Sequence, residues 1–167
     1  DYDDLMSGVD AVIAKSGAER ESFWAVRDNV EACLAFGEAF IFDVSLPLAA
    51  MPDYVSEVLA RLDSTVAQHR SFVFGHVGDG NFHLTIVVDP TSAEEVEAAE
   101  ALHDRLVQRA IAMEGTCTGE HGVGSGKVRF LPIEHDAETM AMMRRIKDAM
   151  DPLGLMNPGK VLATPAP

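Results

Sequence analysis

The stretch from Ser71 to Val88 constrains the fold more than any other part of the chain. Ser71-Phe72-Val73-Phe74 and Phe82 to Val88 are rich in aromatic and β-branched residues, and Asp79-Gly80 lies between them. Asp-Gly between two such runs signals an antiparallel hairpin, because a type I′ turn needs positive φ at both central residues. In the second run Phe82, Leu84, Ile86 and Val88 fall on one face, with His83, Thr85 and Val87 on the other. A sheet with one apolar face has to be covered, and amphipathic helices are the usual cover. Two segments fit. Pro52 opens one, with Val55, Val58, Leu59, Leu62 and Val66 at helical spacing. Ser92 and Glu95 form a capping-box pattern before the other, whose stripe is Val96, Ala99, Leu102, Leu106, Ala110 and Met113.

An earlier run, Phe40 to Leu46, reads as a strand ending at Pro47. The order strand, helix, strand, strand, helix predicts an α+β fold: a ferredoxin-like antiparallel sheet with helices on one face, followed by a helical C-terminal segment. The first 36 residues predict helix in two pieces, broken near Ser16-Gly17. Asp136 is expected to cap the last helix and Asp151-Pro152 to stop it. Its stripe of Met140, Met143, Ile146 and Met150 is expected to face the core, although methionines also suit an adaptable binding surface. The tail Ala163-Thr164-Pro165-Ala166-Pro167 is expected to be disordered.

Composition narrows the function classes. The 167 residues suit one domain or one domain plus a tail, and 47% apolar content supplies a core. Thirteen basic residues against 27 acidic ones give −14, which argues against a nucleic-acid or anionic-membrane binder. The excess is uneven: residues 127–167 carry six basic and five acidic groups, so an anionic ligand is better placed there than elsewhere, unless these are ordinary helix surface charges. No apolar run reaches the roughly 20 residues of a transmembrane helix. The acidic start, Asp1-Tyr2-Asp3-Asp4, does not read as a signal peptide, and the lack of an initial Met suggests a fragment. Cys33 and Cys117 read as reduced thiols of a cytoplasmic protein.

Two segments carry chemistry. In Gly75-His76-Val77-Gly78-Asp79-Gly80-Asn81-Phe82-His83, a tight turn at Asp79-Gly80 would set His76 opposite His83. Directly opposed side chains are about 5 Å apart, so two imidazoles there could share a divalent ion. The bland reading is a pair of polar residues on a solvated sheet face. The second segment, Gly115-Thr116-Cys117-Thr118-Gly119-Glu120-His121-Gly122-Val123-Gly124-Ser125-Gly126-Lys127, surrounds Glu120-His121 with glycines that let backbone approach a ligand closely. Glu120 could complete a His-His-carboxylate set, leaving His121 free to move a proton. Here the bland reading is a surface turn with a capping Glu. The segment fits neither the P-loop nor the dinucleotide pattern. His69, His103 and His135 lack a partner pattern and are assigned surface or packing roles. Cys117 near His121 lacks the third group of a nucleophilic triad, so a buried apolar role is expected for it.

Taken together, Gly75–His83, Gly119–Lys127 and Asp151-Pro152 through Met156-Asn157-Pro158-Gly159-Lys160 resemble the C-terminal portion of FAD-linked 2-hydroxy-acid dehydrogenases. These are the D-lactate, glycolate and D-2-hydroxyglutarate dehydrogenases of the vanillyl-alcohol-oxidase superfamily. The resemblance runs in order from about Ser22 to Leu162. It implies an FAD-dependent oxidoreductase that converts a D-2-hydroxy acid to a 2-oxo acid, with the flavin domain outside this chain and the isolated chain inactive. It implies His76, His83 and Glu120 as ligands of a divalent metal, Zn²⁺ first, and His121 as the base that takes the substrate hydroxyl proton. Arg27, in Phe23-Trp24-Ala25-Val26-Arg27, and Asn81 are implied on the substrate side, with Asn157 and Lys160 near the flavin. The implied organisation is a partial cap and substrate-binding domain over 1–126, a helical segment over 127–162 packing near the flavin, and the tail 163–167. The implied partners are a small 2-hydroxy acid and the flavin-binding domain of the same enzyme. Nucleic acid and a transmembrane segment are not expected, and the oligomeric state is open. Many relatives carry a lysine where this chain has Ile41, which puts a second cationic substrate contact, and with it the usual activity and the identity of the acid, in question. The competing readings are a stand-alone metal-dependent hydrolase using a bound hydroxide, and a non-catalytic cap acting as a binding module.

Overall fold

The computed structural model describes residues 14–28, 38–62 and 71–164. The chain divides into two compact units, Asp1–Phe36 and Gly37–Pro167. In the first, helix α1 spans Gly17–Asp28. Ser16 Oγ accepts from the N–H of Glu19 at 3.2 Å, and Glu19 Oε2 accepts from the N–H of Lys15 at 2.6 Å. This is a capping exchange at the place where the sequence predicts a break. Of the expected helical piece before Ser16 only Ala14 and Lys15 are described, and they are not helical; the rest of it, and Cys33, lie outside the described residues.

The second unit carries the sheet. Strands β1 (Glu38–Ser45), β2 (Ser71–Phe74) and β3 (Asn81–Val88) are ordered β1-β3-β2, with both pairings antiparallel. Helix α2 (Met51–Leu62) follows β1 and α3 (Ala93–Ala112) follows β3. Because β3 inserts between β1 and β2, the arrangement is the split βαβ of a ferredoxin-like layer, and the α+β expectation holds. Where that layer would add a fourth strand beside β1, the chain makes a single antiparallel bridge, Ser45 to Thr116.

The core forms on the Phe42, Val44, Phe82, Leu84 and Ile86 face, where these side chains and those of Val58, Leu102, Leu106 and Ala110 are buried together. Burying each large apolar side chain contributes about 1.5–3 kcal/mol. Ser92 Oγ accepts from the N–H of Glu95 at 3.3 Å, while Glu95 Oε2 reaches back to the N–H of Asp89 at 2.9 Å. The α2 stripe differs from the expected one. Met51, Tyr54, Val58 and Leu62 are buried and Leu59 is exposed, while Val66 lies outside the described residues. Tyr54 sets this rotation. Its ring packs edge-on against Phe82 at 5.2 Å, and its hydroxyl donates to Leu106 O at 3.1 Å, so the polar end can be buried without penalty.

The β2–β3 connection also departs from expectation. Phe74, not His76, stands opposite His83. Residues 75–80 form a six-residue loop containing one 3₁₀ turn, Val77–Asp79, whose first carbonyls come from His76 and Val77. Asp79 does not adopt the positive φ that a type I′ turn requires, whereas Gly80 does, at 69°. A Cβ on Gly80 would lie 2.0 Å from Leu46 O, so the loop closes against the end of β1 only because this residue is glycine.

Beyond the sheet come a short helix α4 (Leu131–Glu134) and helix α5 (Ala137–Met150). Asp136 caps α5 by accepting from the N–H of Thr139 at 2.7 Å. Its apolar stripe is not all core. Met140 and Met143 are partly buried against the core, whereas Ile146 and Met150 are exposed, and no residue of the helix is fully buried. Asp151 then ends the helix and accepts from the N–H groups of Leu155 and Met156, each at 2.9 Å, holding the closing loop. Ala163 and Thr164 are described, and the rest of the predicted disordered tail lies outside the described residues. No described helix is long and apolar enough to cross a membrane.

Candidate metal and substrate site

Asp43 and His83 are register partners on β1 and β3, as are Ser45 and Asn81. These four side chains therefore share the sheet face opposite the core. Thr116 N–H donates to Ser45 O at 2.8 Å, and this bridge sends the segment after it back across the same end of the sheet. The glycine-rich segment thus arrives over Asp43.

The Asp43 carboxylate organises that segment. It accepts from three successive backbone N–H groups: Gly119 at 3.0 Å, Glu120 at 3.1 Å and His121 at 2.9 Å, all on Oδ2. It also accepts from Asn81 Nδ2 at 2.9 Å and from Lys127 Nζ at 3.2 Å. Successive N–H groups around an anion form a nest, filled here by a side chain of the same chain. Burial would raise the Asp43 pKa, but the His121 N–H, the Asn81 amide and the Lys127 charge outweigh it and bring it down to about 2. A Cβ on Gly119 would lie 2.1 Å from Asn81 Nδ2 and 2.3 Å from Asp43 Oδ1, so only glycine permits this approach.

With the segment held there, Glu120 points at two histidines. Its Oε1 lies 3.1 Å from His83 Nε2 and 3.3 Å from His76 Nε2. The ligand atoms of His76, His83 and Glu120 all lie within 4.8 Å of one another. A tetrahedral Zn²⁺ with bonds of about 2.0–2.2 Å separates its ligand atoms by about 3.4 Å, which the two Glu120–histidine distances approach. His83 is buried, whereas His76 and Glu120 keep 42% and 48% of their side chains exposed, leaving an open side for a substrate. His83 is held below the usual histidine range, first by burial and then by the neighbouring His121 and His76, against the pull of Asp43 and Glu120. A neutral imidazole is the form that offers a lone pair.

His121 borders the same space. Its Nε2 lies 3.8 Å from Glu120 Oε1, and its ring centroid is 5.0 Å from that of His83. Asn81 donates from Nδ2 to Asp43, Val44 O and Ser45 Oγ, so its Oδ1 turns toward His83 Nε2, with which it makes a short contact.

Residues 4–161 match the family described as FAD linked oxidases, C-terminal domain. The chain belongs to that family. This FAD-linked oxidase C-terminal domain is 39% identical over 160 residues to a D-lactate dehydrogenase [cytochrome], mitochondrial, of Arabidopsis thaliana, covering 93% of the chain and 28% of that relative. It is 36% identical over 157 residues to a D-2-hydroxyglutarate dehydrogenase of Xanthomonas citri pv. viticola, covering 93% and 33%. It is 34% identical over 159 residues to the glycolate oxidase subunit GlcD of Escherichia coli K12, covering 93% and 31%. The chain therefore spans about a third of the length of the curated relatives it matches.

Within this FAD-linked oxidase C-terminal domain the predicted site residues fall into three groups. His76, His83, Glu120, His121 and Asn81 converge, although His76 arrives from the 75–80 loop and not from a strand position. Asn157 and Lys160 lie in the exposed closing loop, which is tied to the glycine-rich segment by the Val161 N–H donating to Gly124 O at 2.8 Å. Arg27 lies on α1, in the other unit, and its side chain is outside the described residues. Among the residues with no predicted role in the site, His69 is outside the described residues. His103 is wedged edge-on between Phe42 and Phe130, at centroid distances of 4.9 and 5.3 Å, as a packing residue. Cys117 is fully buried, and burial and Glu134 push its thiol up to about 12, so it is no nucleophile.

Two residues of the site, Asp43 and Lys127, were not among the sequence candidates. A signal for Asp43 existed: it is the one ionisable residue in Phe40–Leu46, flanked by Phe42 and Val44, and a charge in such a place needs a buried partner.

Proposed function

We propose that this chain is the substrate-side portion of an FAD-dependent dehydrogenase that oxidises a D-2-hydroxy acid to a 2-oxo acid. The convergence of His76, His83 and Glu120 beside His121, in a chain of this family, carries the reading. The donor set of two imidazoles and a carboxylate, with one side open, is that of a catalytic Zn²⁺ centre. When bound, such an ion supplies Lewis-acid polarisation of the substrate hydroxyl, and a bound flavin supplies the electron acceptor. His76, His83 and Glu120 are the residues that would hold the ion. His121 takes the hydroxyl proton at Nε2, which lies 3.8 Å from Glu120 Oε1 at the edge of the site. Asn81, whose amide lies between Asp43 and His83, is assigned to the substrate side. Arg27 on α1 is assigned the substrate carboxylate, since a guanidinium binds it bidentately. Asn157 and Lys160 are assigned to the flavin side.

A specific observation favours a chain that docks on a larger partner over a stand-alone hydrolase. Ile146, Met150, Leu153, Leu155, Met156 and Val161 are all exposed at the end of α5 and in the closing loop. We assign this apolar surface to the flavin-binding part of the same enzyme.

The test is made on the complete enzyme. Metal content and D-2-hydroxy-acid oxidation with an artificial electron acceptor are compared for the wild type and the His76→Ala, His83→Ala double variant. Loss of both metal and turnover is expected. Equal metal content and equal rates would remove the metal from the mechanism.

A further inference from the structure

The proposed metal ligands are only part of what sets the site. We propose that Asp43 is a positioning residue: its buried carboxylate fixes the loop from Gly119 to His121 and the amide of Asn81, and thereby sets metal affinity without touching the metal. This inference rests on the metal reading above.

Asp43 is not itself available as a ligand. Its Oδ2 already accepts from Gly119, Glu120, His121 and Lys127, and its Oδ1 from Asn81 and, at 3.2 Å, from Glu120 N–H. A carboxylate has about four lone-pair sites, and these donors occupy them. Its nearest approach to a proposed ligand nitrogen is 3.8 Å, Oδ1 to His83 Nε2.

The same bonds determine where two functional side chains point. Three consecutive N–H groups directed at one carboxylate fix the backbone of Gly119, Glu120 and His121, and so fix where the Glu120 and His121 side chains begin. Asn81 can present either end of its amide. Because an ionised carboxylate accepts and does not donate, Asp43 compels the Asn81 Nδ2 to face it. Lys127, from the far end of the glycine-rich segment, neutralises the buried charge and also donates to Asp43 O at 2.5 Å. Outer residues of this kind typically change metal affinity by about 10–100-fold.

Two variants of the complete enzyme test the proposal with Zn²⁺ alone, its affinity measured by competition with a chromogenic chelator at a temperature where circular dichroism shows the protein folded. Asp43→Asn keeps the volume but places an N–H₂ group among donors. Gly119→Ala keeps Asp43 and Lys127 and inserts a Cβ between the loop and the carboxylate. Each is expected to weaken Zn²⁺ binding by about 10–100-fold. If Asp43→Asn does not fold, Gly119→Ala, in the exposed part of the loop, decides alone. Folded variants that bind Zn²⁺ within twofold of the wild type would overturn the positioning role and leave the metal reading intact. A wild type that does not bind Zn²⁺ would instead overturn the metal reading, and this inference with it.

Discussion

Lys127 and Asp43 form an ion pair in the interior, with Nζ 3.2 Å from Oδ2 and side-chain exposures of only 10% and 1%. The pair joins β1 to the end of the glycine-rich segment, 84 residues later in the chain. Removing one partner of a buried pair leaves the other charge without compensation, which costs about 3–5 kcal/mol. Lys127→Met is therefore expected to lower the unfolding free energy by about 3 kcal/mol, read from urea denaturation. A change below 1 kcal/mol would show that the backbone N–H groups alone carry the Asp43 charge.

Acid should release the same interaction. Asp43 ionises near 3.8 when unfolded and at about 2 in the fold, where burial, which would raise it, is outweighed by its donors. A depressed folded value means that the stabilisation is fully present above pH 4 and is lost as pH falls from about 4 to 2. Its size is roughly 2 kcal/mol. Denaturation curves at several pH values should show a steeper loss over this window for the wild type than for Asp43→Asn. Parallel losses would contradict the assignment.

The turn before β3 makes a separate demand on the chain. Gly80 combines a φ of 69° with a backbone carbonyl 2.0 Å from where a Cβ would sit. Gly80→Ala is expected to cost at least about 1–3 kcal/mol, through strain and displacement of the loop from Leu46. Thermal unfolding measures the loss, and an unchanged midpoint would show that the loop relaxes freely. Because His76 lies in the same loop, Zn²⁺ affinity should fall with stability.

Cys117 is predicted to be inert. Its thiol is buried, and burial and Glu134 push it up to about 12. Iodoacetamide at pH 8 should leave the Cys117 peptide unmodified in the folded protein and alkylate it in urea, as peptide mass spectrometry would show. Rapid modification under native conditions would mean that the segment opens.

How much of this could be read beforehand depended on how local the cause was. The β3 alternation, the Ser92 and Asp136 caps and the split order of strands and helices are set by residues a few positions apart, and they fold as their patterns predict. The α2 stripe rotated because Tyr54 found a carbonyl on α3, 52 residues away, which helical spacing within α2 does not encode. Ile146 and Met150 stayed exposed because periodicity marks an apolar face without saying how far the core extends beneath it. His76 and His83 pair in the sequence by their spacing about Asp79-Gly80, yet their meeting depends on a 3₁₀ turn that this dipeptide alone does not reveal. Asp43 was the least visible of all, since its donors at Gly119, Glu120 and His121 lie 76–78 residues further along the chain.

The central claim is that His76, His83 and Glu120 hold one metal ion. Anomalous diffraction at the zinc edge, on crystals of the complete enzyme grown with Zn²⁺, tests it directly. The account predicts a single strong peak about 2.0–2.1 Å from Nε2 of both histidines and about 2.0–2.2 Å from a carboxylate oxygen of Glu120. A featureless map among these three side chains, or a peak coordinated by other residues alone, would contradict it.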